Sequence, residues 1–223
     1  MKSTPLTRAV TALRHLHGKP RKPRVTDPFA MALKESAAYL VDDARRDAVF
    51  ARLDERTGCD PEAILALPDA ELAGLIAEGG MMPAKRAAKL VAASEIALEL
   101  GLDALRRAVR EDDKLARRML KRFPGFGNPG VEKVLLFNGR WKGLAPDSNV
   151  LRVLVRLGYG AEHKDYARMY RTANAAVEPE LPDDSAWLVE AHQLLRTHGQ
   201  TVCRNTAPRC GECPLADGCP SAA

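Results

Sequence analysis

The sequence lacks several things, and each absence narrows what the chain does. It has no run of eighteen apolar residues, so no segment reads as a membrane span. Its start, MKSTPLTRAVTALRHLHGKPRKPR, has no apolar signal core and no cleavage site, and reads as mature, cytosolic sequence. No stretch sustains the apolar–polar alternation of a half-buried strand, and no long-period repeat is present. Acid is missing from residues 1–26, which carry Lys2, Arg8, Arg14, Lys19, Arg21, Lys22 and Arg24. Aromatics make up only 5% of the chain. Cysteine is scarce too: there are five, and only Cys59 lies outside the C-terminal tail.

What is present suits a helical protein. The 223 residues suffice for one large domain or two small ones, and 46% of them are hydrophobic, with much Ala and Leu. Formal charge is +5 with a pI near 9.0. A second basic stretch runs through Lys114, Arg117, Arg118, Lys121 and Arg122, and the acidic stretch Glu178–Asp184 points to a one-sided charge distribution. Basic stretches are either solvated faces or the footprint of a polyanion partner.

Apolar spacing and cap residues predict helices over 5–17, 28–40, 43–57, 83–100, 102–110, 111–122, 131–138, 148–157, 163–177 and 183–199, with short ones after Asp60 and Pro68. Asp27 is the expected N-cap before Pro28, and GKPRKPR over 18–24 is an extended linker. The fold class expected is therefore all-α.

Four cysteines crowd the last twenty-one residues as Cys203-x6-Cys210-x2-Cys213-x5-Cys219. Interspersed with Pro208, Gly211, Pro214 and Gly218, they form a looped cage that needs something inside it. An iron–sulfur cluster, a structural zinc ion and two disulfides are the candidates. The absence of a signal segment argues against disulfides, and the spacing leans away from zinc's short paired knuckles.

Residues 120–135 read LKRFPGFGNPGVEKVL. Gly125 and Gly127 flank Phe126 between two predicted helices. Such a turn either serves antiparallel packing alone or leaves successive N–H groups unblocked as an anion nest. With Lys121, Arg122 and Lys133 nearby, the natural anion is a DNA phosphate.

LKRFPGFG, then LAPDSNVLRVLVRLG, then the four-cysteine tail: this order resembles the endonuclease III branch of the helix-hairpin-helix DNA glycosylases. The tail spacing matches that family's C-x6-C-x2-C-x5-C at every interval, and the likeness extends over about residues 27–219. GGMMPAKRAAKL resembles the family's Gly-Leu-Tyr-x-x-Lys-Ala turn. The resemblance implies a two-lobed α-fold. A six-helix barrel would cover 28–142, with the helix-hairpin-helix near 120–135. The other lobe would combine 1–27 with 143–223 and hold a [4Fe–4S] cluster in the loop 203–219. Cys203, Cys210, Cys213 and Cys219 match its ligands, with zinc as the alternative. The DNA cleft would lie between the lobes.

The resemblance also assigns roles. Asp147 matches the catalytic aspartate, although any Asp there would also N-cap a helix at 148. The family's lyase lysine falls two residues after the second hairpin glycine, where this chain has Pro129. Lys133 is a possible substitute amine, but it lies about 6 Å further along the helix axis. The implied activity is thus a base-excision glycosylase that uses water and leaves the abasic site uncut. A bifunctional glycosylase/lyase using another amine and a non-catalytic binder of damaged DNA are the alternatives. Family likeness alone points to an oxidised pyrimidine or a related lesion. Gly125, Phe126, Gly127, Lys121 and Arg122 are the expected phosphate contacts. The early Ser-Ala-Gln-Ala-Thr segment of the family aligns with Ser36-Ala37-Ala38-Tyr39-Leu40, which lacks the glutamine wedge. Tyr39, Met81 and Met82 are the candidates to replace an extruded base, each with a core role as the plainer reading. Arg204 and Arg209 in the cysteine loop either face phosphate or are solvated. Cys59 reads as a buried apolar residue, and His192 and His198 as facing neighbouring helices or solvent. A monomeric, cytoplasmic, DNA-bound protein without membrane contact is expected.

Overall fold

In a computed structural model, residues 3–222 are described, and Lys2 of the basic N-terminus lies outside them. The described residues form helices and turns, with no strand among them. They divide into two compact units, residues 1–23 with 135–223 and residues 24–134.

The first unit begins with α1 (Pro5–His17), capped by Thr4, whose hydroxyl accepts from Thr7 N–H. The second unit holds α2 (Pro28–Ala37), α3 (Asp43–Thr57), α4 (Pro61–Leu65), α5 (Asp69–Leu75), α6 (Pro83–Leu100), α7 (Leu102–Glu111) and α8 (Asp113–Leu120). Helix α9 (Asn128–Phe137) carries the chain from one unit into the other. Back in the first unit come α10 (Ser148–Arg156), α11 (Tyr166–Val177) and α12 (Ser185–Thr201), then the cysteine loop with two single 3-10 turns.

Aspartate starts most of these helices. Asp27 Oδ1 accepts from Phe29 and Ala30 N–H, and its Oδ2 pairs with Arg106 Nε of α7 at 2.7 Å. Asp60, Asp165 and Asp184 cap α4, α11 and α12 in the same way. The acidic stretch 178–184 is therefore structural rather than a counterweight to the basic face. Glu180 Oε2 accepts from Leu6 N–H at 2.7 Å and from the Tyr159 hydroxyl at 2.9 Å, closing the start of α1.

In the second unit α6 is the central helix, packed by α2, α4 and α5. Phe29, Leu33, Leu53, Ile64, Leu72 and Leu90 are fully buried. In the first unit α12 plays that part, packed by α1 and α10 around Leu13, Leu144, Val150, Leu154 and Leu195. Gly199 is required where α12 meets α10, because a Cβ there would come within 2.7 Å of Asn149 O.

Three sequence expectations fail in detail. Helix α2 stops at Ala37, so Tyr39 and Leu40 leave the helix for a loop. Helix α9 starts at Asn128, three residues earlier than expected, with Pro129 in its first turn, where its missing N–H costs nothing. Cys59 is half-buried rather than core, and follows Gly58 with a second left-handed φ of 53°. Burial first, then Asp54, pushes its thiol up to about 12.

Candidate functional site

Asp147 stands where the chain enters α10. Its Oδ1 accepts from Asn149 N–H at 2.9 Å and Val150 N–H at 3.0 Å. Its Oδ2 is paired with Arg196 Nη1 of α12, and both side chains are mostly shielded. The capping role and a chemical role thus use different oxygens of one carboxylate.

The strand of chain leading to Asp147 is pinned from the same helix. His192, buried on α12, bonds Leu144 O through Nδ1 at 2.9 Å, which requires the proton on Nδ1. Ala145 holds a φ of +47°, a strained value for a residue with a side chain. Arg152 locks the helix end from below, donating to Gly199 O at 2.6 Å, Asn149 Oδ1 at 2.8 Å and Cys203 O at 2.9 Å. Neither His192 nor Arg196 was read as part of the site from sequence. The available signal was their spacing: four residues apart on one helix, they share a face.

The hairpin between α8 and α9 is partly self-satisfied. Phe126 N–H donates to Phe123 O at 3.1 Å and Gly127 N–H to Gly125 O at 3.2 Å, so these two are not the unblocked donors expected. The N–H groups of Gly125, Asn128 and Gly130 bond to no acceptor among the described residues. Gly125 takes a φ of +80°, which suits glycine. The Phe126 ring is buried, 6.2 Å from the Phe123 ring and against Gly130, so it serves the core and not a ligand. Lys121 is exposed and forms no ion pair among the described residues, while Arg122 is paired with Glu99. Lys133, the substitute amine, is largely shielded and paired with Glu35 of α2.

Of the base-replacing candidates, Tyr39, Met81 and Met82 are all exposed. Their core alternative is excluded.

The four tail cysteines are free thiols that line one cavity of about 30 Å³, together with Arg156 and Val202. No three ligating side chains among the described residues stand at single-ion geometry. The donor set is purely sulfur, which fits soft metal chemistry, and two side chains already make polar contacts with it. Arg156 Nη1 lies 3.4 Å from Cys203 Sγ, and His198 Nε2 lies 3.4 Å from Cys213 Sγ. His198 is buried rather than facing solvent, and its Nδ1 meets His17 Nε2 at 3.2 Å. Burial, with His17 beside it, lowers His198 to about 4. Burial and the neighbouring cysteines raise the Cys213 thiol, against a lowering backbone contact at Leu215. Arg204 bonds Ala207 O and Arg209 pairs with Glu212, both at the surface.

No protein-family profile matches the chain. Curated relatives do. It is 27% identical to endonuclease III of Thermotoga maritima over 200 residues, covering 90% of this chain and 86% of that protein. It is 27% identical to endonuclease III of Rickettsia conorii over 85% of this chain and 80% of that one. The match to endonuclease III of Sulfolobus acidocaldarius is shorter, spanning 46% of that protein. Among solved structures, a trapped endonuclease III–DNA covalent intermediate superposes with a TM-score of 0.74 at 20% identity, covering 100% of this chain and 98% of that one. A thermostable thymine-DNA glycosylase superposes with a TM-score of 0.72 at 18% identity, covering 97% and 94%. The expected all-α class and family likeness are thereby borne out: the chain is similar in sequence to endonucleases III over most of its length and shares the fold of the endonuclease III and thymine-DNA glycosylase structures.

Proposed function

We propose that the chain is a DNA N-glycosylase that releases a damaged or mispaired base by hydrolysis and leaves the abasic site uncut. The observation that carries this is the Asp147 carboxylate, fixed at the start of α10 with one oxygen capping and the other held by Arg196. Breaking the C1′–N bond sends its electron pair to the leaving base and leaves positive charge on the sugar. A fixed carboxylate stabilises that charge without reorganising. Water then bonds to C1′ and gives its proton to Asp147 or to solvent.

Strand cleavage needs an amine at C1′. Pro129 offers none, and Lys133 is paired with Glu35. Endonuclease III similarity supports DNA as the partner, and Lys121 with the open amides of the hairpin supplies phosphate contacts. An oxidised pyrimidine is the lesion proposed, with Tyr39, Met81 and Met82 facing the gap it leaves.

The four-cysteine pocket is proposed to hold a [4Fe–4S] cluster rather than zinc. Its all-sulfur donor set, its spacing and the endonuclease III likeness support this. When bound, the cluster clips the tail; Cys203, Cys210, Cys213 and Cys219 would ligate it. Arg156 and His198 orient two of those sulfurs. The proposed setting is an intracellular, DNA-bound monomer. No helix among the described residues is long and apolar enough to cross a membrane.

The test is a time course on duplexes carrying oxidised pyrimidines, uracil or a mismatch, each sample split between hot alkali and no treatment. Cleavage only after alkali is expected. Cleavage in the untreated half means an amine nucleophile is at work. No product in either half means a binding protein.

A further inference from the structure

One residue of α12 touches the cysteine loop at two points. His198 O accepts from Cys203 N–H at 2.8 Å, and His198 Nε2 lies 3.4 Å from Cys213 Sγ. Its backbone thus holds the first cysteine of the set and its side chain meets the third. The residue is 1% exposed, so both ring nitrogens must be satisfied inside the protein.

The other nitrogen of that ring meets a second histidine. His17 ends α1, and its Nε2 lies 3.2 Å from His198 Nδ1. The ring centroids are 5.4 Å apart and the planes are inclined at 64°, so the rings meet edge-on and do not stack. Packing puts His17 there. Val10, Leu13 and His17 fall at i, i+3 and i+7, so the face that α1 buries against α12 carries His17 in register. Gly18 ends the helix directly afterwards with a φ of +75°.

This line of three groups has a polarity. A neutral imidazole donates through one nitrogen and accepts through the other. The partner at His198 Nδ1 is an imidazole and not a carboxylate, and charging a buried ring without an anion beside it is costly. A cysteine sulfur that ligates metal is a thiolate, which accepts hydrogen bonds. In the loaded site Nε2 of His198 must then be the donor and Nδ1 the acceptor, which leaves His17 Nε2 as the donor to it. The bond made by one ring nitrogen sets where the proton of the other sits.

We propose that His17 is a positioning residue for the cysteine site: its Nε2–H donates to His198 Nδ1 and so commits the Nε2–H of His198 to the Cys213 sulfur. The inference rests on the reading above in which the four cysteines hold a [4Fe–4S] cluster. A hydrogen bond to a ligating sulfur withdraws charge from it, favours the reduced form of such a cluster and raises its potential.

The test uses the full, loaded chain and two readouts. Long-range proton–nitrogen correlation identifies the protonated ring nitrogens, and both histidines are expected to carry one proton, on Nε2. Redox titration followed by cluster absorption gives the potential. His17→Leu should shift the reduced-to-oxidised ratio at a fixed potential about ten-fold toward the oxidised form, which is about 59 mV for one electron. His17→Gln places an amide donor at the same bond distance from Cα and should restore the wild-type ratio. His198→Leu should lower the potential at least as far, and His17→Leu should add nothing on that background, because His17 acts only through His198.

A proton on His198 Nδ1, or on both its nitrogens, overturns the proposal. Equal potentials for His17→Leu and wild type, or additive shifts in the double variant, overturn it too. Should His17→Leu not fold, the nitrogen shifts of wild type and His17→Gln decide alone. A colourless chain holding zinc sinks the cluster reading only: the nitrogen shifts are then read on the zinc form, where protons on both Nε2 atoms uphold the proposal and any other pattern overturns it.

Discussion

At the scale of single residues, the Asp147–Arg196 pair is the unusual feature. In the proposed reaction a cation beside the carboxylate would oppose the positive charge developing on the sugar, so its benefit would lie in geometry. Arg196 stops Oδ2 from turning, as the cap stops Oδ1. Asp147→Asn keeps a capping oxygen toward Asn149 and Val150 but turns an amide nitrogen toward Arg196. The expected stability loss is about 1 kcal/mol, and the expected loss of base release is at least about a hundredfold. Arg196→Gln should leave the cap intact and slow base release by about ten-fold, through kcat and not KM. A thermal melt and single-turnover rates read these separately, and equal rates for Arg196→Gln and wild type would remove Arg196 from the site. Asp147 was legible in the sequence because its cap and its neighbours are local. Arg196 was not, because its partner lies on another element, and its four-residue spacing from His192 marks a shared helix face without saying what that face meets. The end of α2 was illegible for a different reason: nothing in the apolar pattern shows that the helix stops at Ala37 or that the backbone turns left-handed at Leu40.

At the scale of elements, caps made the fold readable. Asp27, Asp60, Asp147, Asp165 and Asp184 each start a helix, and their oxygens bond the amides that a cap should. The error was at α9, where Gly and Pro read as turn residues although Pro129 stands in the first helical turn. That placement has a consequence for chemistry. Lysine is tolerated in a first turn, so Pro129→Lys should fold with a stability change of about 1 kcal/mol or less. It supplies an amine at the family's lyase position. The expected outcome is cleavage of abasic DNA without alkali and a borohydride-trapped covalent adduct, both absent from the wild type. A folded Pro129→Lys variant with no adduct would mean that the α9 terminus does not face C1′, whatever the hairpin resembles.

At the scale of the whole molecule, the two units differ in what holds them. The second packs buried apolar side chains of α2, α4 and α5 around α6. The first has its own core around α12, but the cysteine loop beyond Cys203 adds almost nothing buried to it. That loop is held by Arg209 N–H on Val202 O, by Arg152 and Arg156 on the carbonyls of Cys203, Arg204 and Asn205, and by short 3-10 turns. Burial, then its cysteine neighbours, push the Cys213 thiol up, and a cation sharing the site would favour its thiolate. Oxidative removal of the proposed [4Fe–4S] cluster should therefore act locally. Hydrogen exchange should quicken over residues 204–222 while the amides of α10 and α12 stay protected, because Leu144, Val150, Leu154 and Leu195 remain buried without the loop. Binding to the proposed phosphate contacts at the hairpin, which the second unit carries alone, should survive. Collapse of protection across α1, α10 and α12 would mean instead that cluster binding energy is the folding energy of the entire unit, as in small metal-dependent domains.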